Sequence, residues 1–84
     1  MSENKEELKN KIIYRSSYRG TKEMDILMSN FVKSIIDDLT LSELNELNIL
    51  VNLSDENLIS VKKGNVEDII SPNIIIKKFQ DFKL

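Results

Sequence analysis

The strongest pattern in the chain is an apolar stripe between positions 24 and 39. Its members recur at intervals of three and four residues, which is the spacing of one face of an α-helix. They are Met24, Leu27, Met28, Phe31, Val32, Ile35, Ile36 and Leu39. Because polar residues fill most of the other positions, the stripe predicts a central helix that is buried along one side.

A shorter stripe before it predicts a first helix from about Glu6 to Tyr18. Lysines lie opposite the residues expected to face inward, which are Leu8, Ile12 and Ile13. Gly20 follows the stripe and is placed to act as a C-terminal cap, because glycine adopts the left-handed backbone that many helix ends require.

Two further helices are indicated by their N-terminal caps. Thr40 and Glu43 have the spacing of a capping box, and leucines continue the apolar stripe from there to about Leu53. Ser54 offers the next N-cap, with acidic residues in the first turn after it. The lysines before Gly64 and this glycine itself then predict the end of a fourth helix of about two turns.

The last helix is predicted from Ser71 as N-cap and Pro72 at the first helical position. Its inward residues are Ile75, Ile76 and Phe79, and Phe82 is expected to be frayed near the end. Residues 65–70 fit either a half-buried loop or an extra turn that leads into this helix.

Five short helices without strand-like alternation or an internal repeat predict an all-α fold, a small five-helix bundle. Each stripe is too narrow to support an isolated helix, so the helices must bury their apolar faces against one another. A chain of 84 residues is the size of one domain. We therefore expect a single domain over residues 1–84, with residues 1–5 frayed.

The composition excludes most catalytic chemistry. The chain contains neither cysteine nor histidine, which removes disulfides, thiolate nucleophiles, imidazole bases and the usual zinc ligands. The remaining carboxylates, lysines, arginines and hydroxyls show no spacing that defines a catalytic site. No glycine-rich phosphate loop is present. We therefore expect no enzyme, no bound metal and no tightly held FAD.

Charge and hydropathy indicate a protein partner in a cytoplasm. No apolar run approaches the ~18 residues of a transmembrane helix, and the N-terminus, which has glutamates among its lysines, resembles neither a signal peptide nor a transit peptide. Residues 1–22 carry six basic and three acidic side chains, whereas residues 23–61 carry one basic and eight acidic. Because the acidic middle would repel a duplex, we expect no nucleic acid partner. The hydropathy and the N-terminus predict no membrane insertion and a bacterial cytoplasmic location, or else a processed chain.

The segment from Tyr14 to Asp25 resembles the signature of the SdhE family, whose hallmark is Arg-Gly-x-x-Glu between the first two helices. The matching residues are Arg19, Gly20 and Glu23. The likeness continues through the second helix and through the acidic turn that follows Ser54, in the family's order and spacing. It covers about residues 8 to 80.

The resemblance implies an assembly factor that promotes covalent attachment of FAD to the flavoprotein subunit of succinate dehydrogenase. In this family the flavoprotein's own histidine attacks the flavin methyl carbon, and the factor holds that subunit in a favourable conformation. Fumarate reductase is a second candidate client. The stripes leave no long coiled-coil seam, so we expect a monomer.

The resemblance places the partner-binding surface at the corner between the first two helices. We assign it to Tyr14, Arg15, Tyr18, Arg19, Gly20, Glu23 and Asp25. Residue chemistry alone allows Arg19 and Glu23 to form only a capping ion pair. Either tyrosine fits the core as well as the surface, and Arg15 and Asp25 are equally compatible with plain solvation.

A second function fits the same chain. A small helical antitoxin-like or regulatory module could bind protein or nucleic acid through the basic first helix. Salt dependence separates the two functions, because binding to nucleic acid weakens steeply as salt is added.

Overall fold

The computed structural model describes residues 4–18, 21–66, 69–70 and 73–83. Within these ranges the chain forms five α-helices and a short 3-10 turn at Ile36–Asp38, without any strand. The helices are α1 (Lys5–Ser17), α2 (Lys22–Ile35), α3 (Leu41–Val51), α4 (Asp55–Lys62) and α5 (Ile74–Asp81). Helix α1 packs against α2 and α3, and α5 packs against α3 and α4. The predicted all-α bundle is confirmed.

The caps explain where the helices begin. Thr40 and Glu43 form the predicted capping box: the Thr40 hydroxyl accepts the Glu43 N–H at 3.2 Å, and Glu43 Oε1 accepts the Thr40 N–H at 2.9 Å. Ser54 caps α4 as predicted. Asn4 caps α1, and Thr21 caps α2 by accepting a hydrogen bond from its third residue. Each side-chain oxygen satisfies an N–H that the helix itself leaves without a partner.

The prediction that the central helix runs unbroken to Leu39 is wrong. Helix α2 ends at Ile35, and a 3-10 turn follows over Ile36–Asp38. β-branched and aspartate residues are weak helix formers, which favours a break here. A 3-10 turn has three residues per turn, so Ile36 and Leu39 still share a side, and both are buried.

The predicted start of the last helix is also wrong. Helix α5 begins at Ile74 and is capped by Asn73, whose Oδ1 accepts the Ile76 N–H at 2.9 Å. Asparagine is as good an N-cap as serine. Asn73, which lies nearer the apolar stripe than Ser71, therefore caps the helix. Ser71 and Pro72 lie outside the described residues. Before this helix, Val66 accepts hydrogen bonds from two half-buried isoleucines, Ile69 and Ile70.

Phe82 belongs to the packed structure, contrary to the prediction that it is frayed. It is the C-cap residue of α5, and its ring centroid lies 5.4 Å from that of Phe31. Phe79 lies 5.2 Å from the same ring in an edge-to-face arrangement. Such aromatic pairs add to the apolar area they bury. Phe31 on α2 therefore contacts both aromatic residues at the end of α5.

The core is one cluster formed by all five helices. Its fully buried members include Ile12 of α1, Phe31 of α2, Leu47 of α3, Leu58 of α4 and Ile75 of α5. Met24 and Met28 are also buried, as the stripe predicts. Nearly all residues expected to face inward do so, with the rest half-buried at the margin of the cluster.

The end of α4 is closed by Gly64 and Lys62. Gly64 has a φ of 98°, and the N–H groups of Gly64 and Asn65 return to Val61 and Ser60 in a Schellman motif. The Lys62 ammonium donates to the main-chain oxygens of Phe79, Gln80 and Phe82 at the end of α5. This lysine therefore ties the last two helices together.

Candidate functional site

The predicted surface lies where α1 ends and α2 begins. Tyr14 and Arg15 lie in the last turn of α1, and Tyr18 is its C-cap residue. Glu23 and Asp25 lie in the first turn of α2. Arg19 and Gly20 lie outside the described residues, so the predicted capping role of Gly20 stays a prediction. The structure therefore fixes both sides of the corner.

Tyr14 and Tyr18 form an aromatic pair on the protein surface. Their ring centroids are 4.7 Å apart, and the rings are tilted by 41°. The side chains are 65% and 71% exposed. Spacing of four residues brings the two rings together on one face of α1. Neither tyrosine belongs to the core, so the surface alternative is the one that the structure supports.

Arg15 is anchored to α3 although it is exposed. Its Nε donates a hydrogen bond to Oδ1 of Asn52 at 2.7 Å. The Asn52 amide is held in turn, because its Nδ2 donates to the main-chain oxygen of Asn48 at 2.7 Å. The side chain of Arg15 is thereby directed along the junction between α1 and the C-terminal end of α3.

Two concavities adjoin this hydrogen bond, one on each side. The first is a shallow open depression of about 650 Å³ between α1 and α3, and the second, also open, has about 510 Å³ between the end of α1 and the start of α4. Arg15 and Asn52 line both. The first is also lined by Glu7, Asn10, Lys11, Tyr14 and Asn48, and the second by Tyr18, Leu53, Ser54, Asp55 and Glu56. Tyr14 lines the first and Tyr18 the second, and we call the two concavities together the trench.

The trench contains residues that sequence reasoning missed. Asn48 and Asn52 lie four apart on α3, so they share a face, but nothing in their residue type distinguishes them from the other asparagines. Asp55 and Glu56 were predicted only as first-turn acids of α4. The packing of α1 on α3 brings Asn48 and Asn52 beside Tyr14, and Asp55 and Glu56 at the start of α4 line the second concavity with Tyr18.

The acids of the corner fit a structural role as well as a binding role. Glu23 is exposed and Asp25 is half-buried, and both lie in the first turn of α2, where the helix dipole favours negative charge. Thr21 already caps this helix by accepting a hydrogen bond from the Met24 N–H at 3.3 Å. The exposed Glu23 side chain is therefore not needed as the cap, and the local structure allows it to contact a partner.

The described part of the chain has neither a candidate membrane span nor a cluster of metal ligands. No helix there is long and apolar enough to cross a membrane. No group of three or more acidic side chains there could hold a metal ion. The expectation that the chain binds neither metal nor FAD tightly stays a prediction.

Fold and surface together define a small helical protein whose candidate site is an exposed aromatic and arginine surface. Residues 10–83 match the sequence model of the family described as Sdh5, flavinator of succinate dehydrogenase, and the chain belongs to this family. No curated protein sequence and no solved structure matches the chain. The resemblance seen in the sequence is therefore confirmed.

Membership of the family decides between the two functions considered. Its members are assembly factors for attachment of FAD to succinate dehydrogenase, so the chain is a flavinator. The comparison gives no support to an antitoxin-like or regulatory module.

Proposed function

We propose that this protein promotes covalent FAD attachment by binding the flavoprotein subunit of succinate dehydrogenase at the corner between α1 and α2. The contact surface consists of Tyr14, Arg15, Tyr18, Arg19, Gly20, Glu23 and Asp25. The observation that carries the proposal is the exposed tyrosine pair, whose rings lie 4.7 Å apart beside an anchored arginine. Tyrosine and arginine are enriched among the residues that dominate binding energy at protein interfaces.

The task requires no catalytic group from this chain, which we propose is not an enzyme. A histidine of the flavoprotein forms the bond to the flavin methyl carbon, and the assembly factor controls the geometry of the attack. Correct positioning alone can lower a reaction barrier greatly. A factor that binds the competent conformation of the subunit more tightly than the others raises the population of that conformation.

The anchored arginine suits this task. Holding Arg15 against Asn52 removes rotamer freedom before the partner arrives, so less entropy is lost on binding. The tyrosines have few rotatable bonds and already contact each other, which lowers the cost further. A preorganised surface of this kind can favour one conformation of its partner.

We further propose that the factor acts as a monomer in a bacterial cytoplasm and holds no FAD of its own. Fumarate reductase is a second client to be tested. A pull-down from the native cell should recover a flavoprotein of dehydrogenase size.

The test is flavin fluorescence of the dehydrogenase subunit in gels from cells that lack the native factor. Arg19→Ala and Gly20→Leu should abolish the fluorescence, and Glu23→Ala should reduce it more mildly. Lys33→Ala, which removes an exposed basic residue in the last turn of α2, is the matched control and should restore full fluorescence. Circular dichroism should show the same helical content for all variants.

A full signal with Arg19→Ala would show that the corner is a structural cap. A wild-type factor that fails to restore fluorescence would contradict the function itself. The two failures are therefore distinguishable in one experiment.

A further inference from the structure

A small apolar pocket lies on the α2 side of the corner. It is a half-open depression of about 120 Å³ between the first half of α2 and the part of α4 that begins at Leu58. Its lining residues are Met24, Leu27, Leu58, Ile59, Lys62 and Lys63. The walls are the buried core residues Met24 and Leu58 and half-buried Leu27, and the rim carries Ile59 and two lysines. None of the contacts described for the trench reaches this pocket.

The size of the pocket fits one apolar side chain. An apolar cavity of ~150 Å³ holds a benzene molecule, so 120 Å³ matches a side chain such as leucine or methionine. Met24 contributes a flexible thioether to the wall, which lets the pocket adapt to its occupant. On the rim, Ile59 is 46% exposed, so an occupant would also cover apolar surface that now faces water.

The rim is positively charged and would attract an acidic residue next to the apolar side chain that fills the pocket. Lys62 directs its ammonium to the carbonyls that end α5. Lys63 is exposed and lies four residues after Ile59, on the same face of α4. A carboxylate that follows an apolar side chain into this region would meet Lys63.

The pocket and the proposed partner surface share two elements, the first turn of α2 and helix α4. Met24 directly follows Glu23, the acidic residue of the corner motif. Helix α4 joins the two regions, because Asp55 and Glu56 line the trench while Ile59 borders the pocket one turn later. A partner that covers the corner would therefore reach both sides of it.

We propose that this pocket holds one leucine- or methionine-sized side chain of the flavoprotein subunit, with an acidic side chain of the same segment facing Lys63. This inference rests on the proposed function and adds the chemistry of the partner segment. The pocket acts as an apolar anchor that fixes the orientation of the subunit, while the arginine and tyrosine surface grips it on the other side of the corner.

The first test is Ile59→Glu, which places a charge at the mouth of the pocket. Its affinity for the purified flavoprotein subunit should fall about 10- to 100-fold, the range expected when one apolar side chain can no longer be buried. The matched control is Ile49→Glu on the outer face of α3, since Ile49 is 55% exposed and lines no concavity described here. The control should bind like wild type, and both variants should melt close to the wild-type temperature.

The second test concerns the charge at the rim. Lys63→Glu should weaken binding about 10-fold, because a carboxylate of the partner would then face a like charge. Lys78→Glu makes the same change on the exposed face of α5 and should leave the affinity unchanged. Equal effects of the two variants would show that net charge, not the pocket, controls binding, and would overturn the proposal.

The third test identifies the occupant directly. Because the chain has no cysteine, Ile59→Cys can be labelled at one site with a benzophenone maleimide and irradiated in the presence of the subunit. We expect a cross-link to a peptide of the flavoprotein that contains leucine or methionine beside an acidic residue. Ile49→Cys should give little product. Cross-linking to a second copy of this chain instead would contradict the proposal.

The outcomes separate this inference from the proposed function. Wild-type protein that does not bind the flavoprotein subunit would contradict the proposed function. Wild-type protein that binds, combined with unchanged affinity of Ile59→Glu and no cross-link from position 59, would refute the pocket alone.

Discussion

The guanidinium of Arg15 donates a hydrogen bond to Oδ1 of Asn52 across a separation of 37 residues. The contact joins the last turn of α1 to the C-cap of α3. It lies between the two concavities of the trench, where the side chains are exposed. An exposed hydrogen bond adds little stability by itself, but it fixes the direction of an arginine that a partner would meet.

The first prediction concerns the strength of this contact. Asn52→Asp should convert it into a charge-assisted pair and stabilise the fold by about 0.5–1 kcal/mol relative to the same change in an Arg15→Ala background. The double-mutant cycle removes the cost of placing a negative charge near a helix C-terminus, which is common to both backgrounds. Urea unfolding of the four proteins measures it. Zero coupling would show that the added charge does not strengthen the contact and would contradict the prediction.

The second prediction concerns the tie between α4 and α5. Lys62→Met keeps most of the apolar stem but leaves the main-chain oxygens of Phe79, Gln80 and Phe82 without this donor. We expect a loss of about 1–3 kcal/mol of unfolding free energy. Lys63→Met, one residue away and exposed, should change it by less than about 0.5 kcal/mol. Equal stabilities of the two variants would contradict the tie.

The third prediction concerns the protonation of the same lysine. Burial lowers the pKa of Lys62 below the ordinary 10.5, although Asp81 raises it, and Lys83 lowers it further. Between this lowered pKa and 10.5 the unfolded chain binds more protons than the folded protein. Titration of Lys62 therefore adds stability as the pH rises from the lowered pKa to 10.5, and this increment is lost again as the pH falls through the lowered pKa. The hydrogen bonds of the charged ammonium are a separate contribution, which is present at neutral pH. NMR titration of Nζ should give a value below 10.5, and a value at or above 10.5 would contradict it.

Much of the fold could be predicted because the apolar spacing and the capping residues of each helix lie within its own short segment. The stripe of α2 and the capping box at Thr40 need no knowledge of the rest of the chain. The errors fall where two local solutions compete. At Ile36 a 3-10 turn buries the same side chains as a longer helix would, and at Asn73 a second good cap lies closer to the apolar stripe than Ser71.

The candidate site was less predictable, because it depends on how α1 packs against α3. The pairing of Arg15 with Asn52 joins residues far apart in the chain, and no periodicity reveals it. The exposure of Tyr14 could have been predicted: two residues after buried Ile12, it points roughly 200° away from it on a helix. Ile13, the direct neighbour of Tyr14, is half-buried and widens the inward face of α1. For this reason the sequence alone did not decide between a core and a surface position for Tyr14.

The fourth prediction concerns the isolated protein. It should be monomeric at low concentration and free of bound flavin, because its apolar stripes are buried in one core and no phosphate-binding loop is present in its sequence. Analytical ultracentrifugation tests whether the protein is a monomer. Its absorbance near 450 nm, roughly the flavin maximum, tests whether it holds flavin. Stoichiometric yellow flavin would show that the factor itself carries the cofactor.

The last prediction separates stability from binding at the tyrosine pair. The rings of Tyr14 and Tyr18 contact each other but are mostly exposed, so either change to Ala should alter the unfolding free energy by less than about 1 kcal/mol. Binding to the flavoprotein subunit should weaken about 10-fold or more, because an aromatic anchor is lost. Ile49→Ala removes a similarly exposed apolar side chain elsewhere and should bind normally. Calorimetric titration of the subunit measures the affinities, and unchanged binding by both tyrosine variants would move the partner surface away from α1.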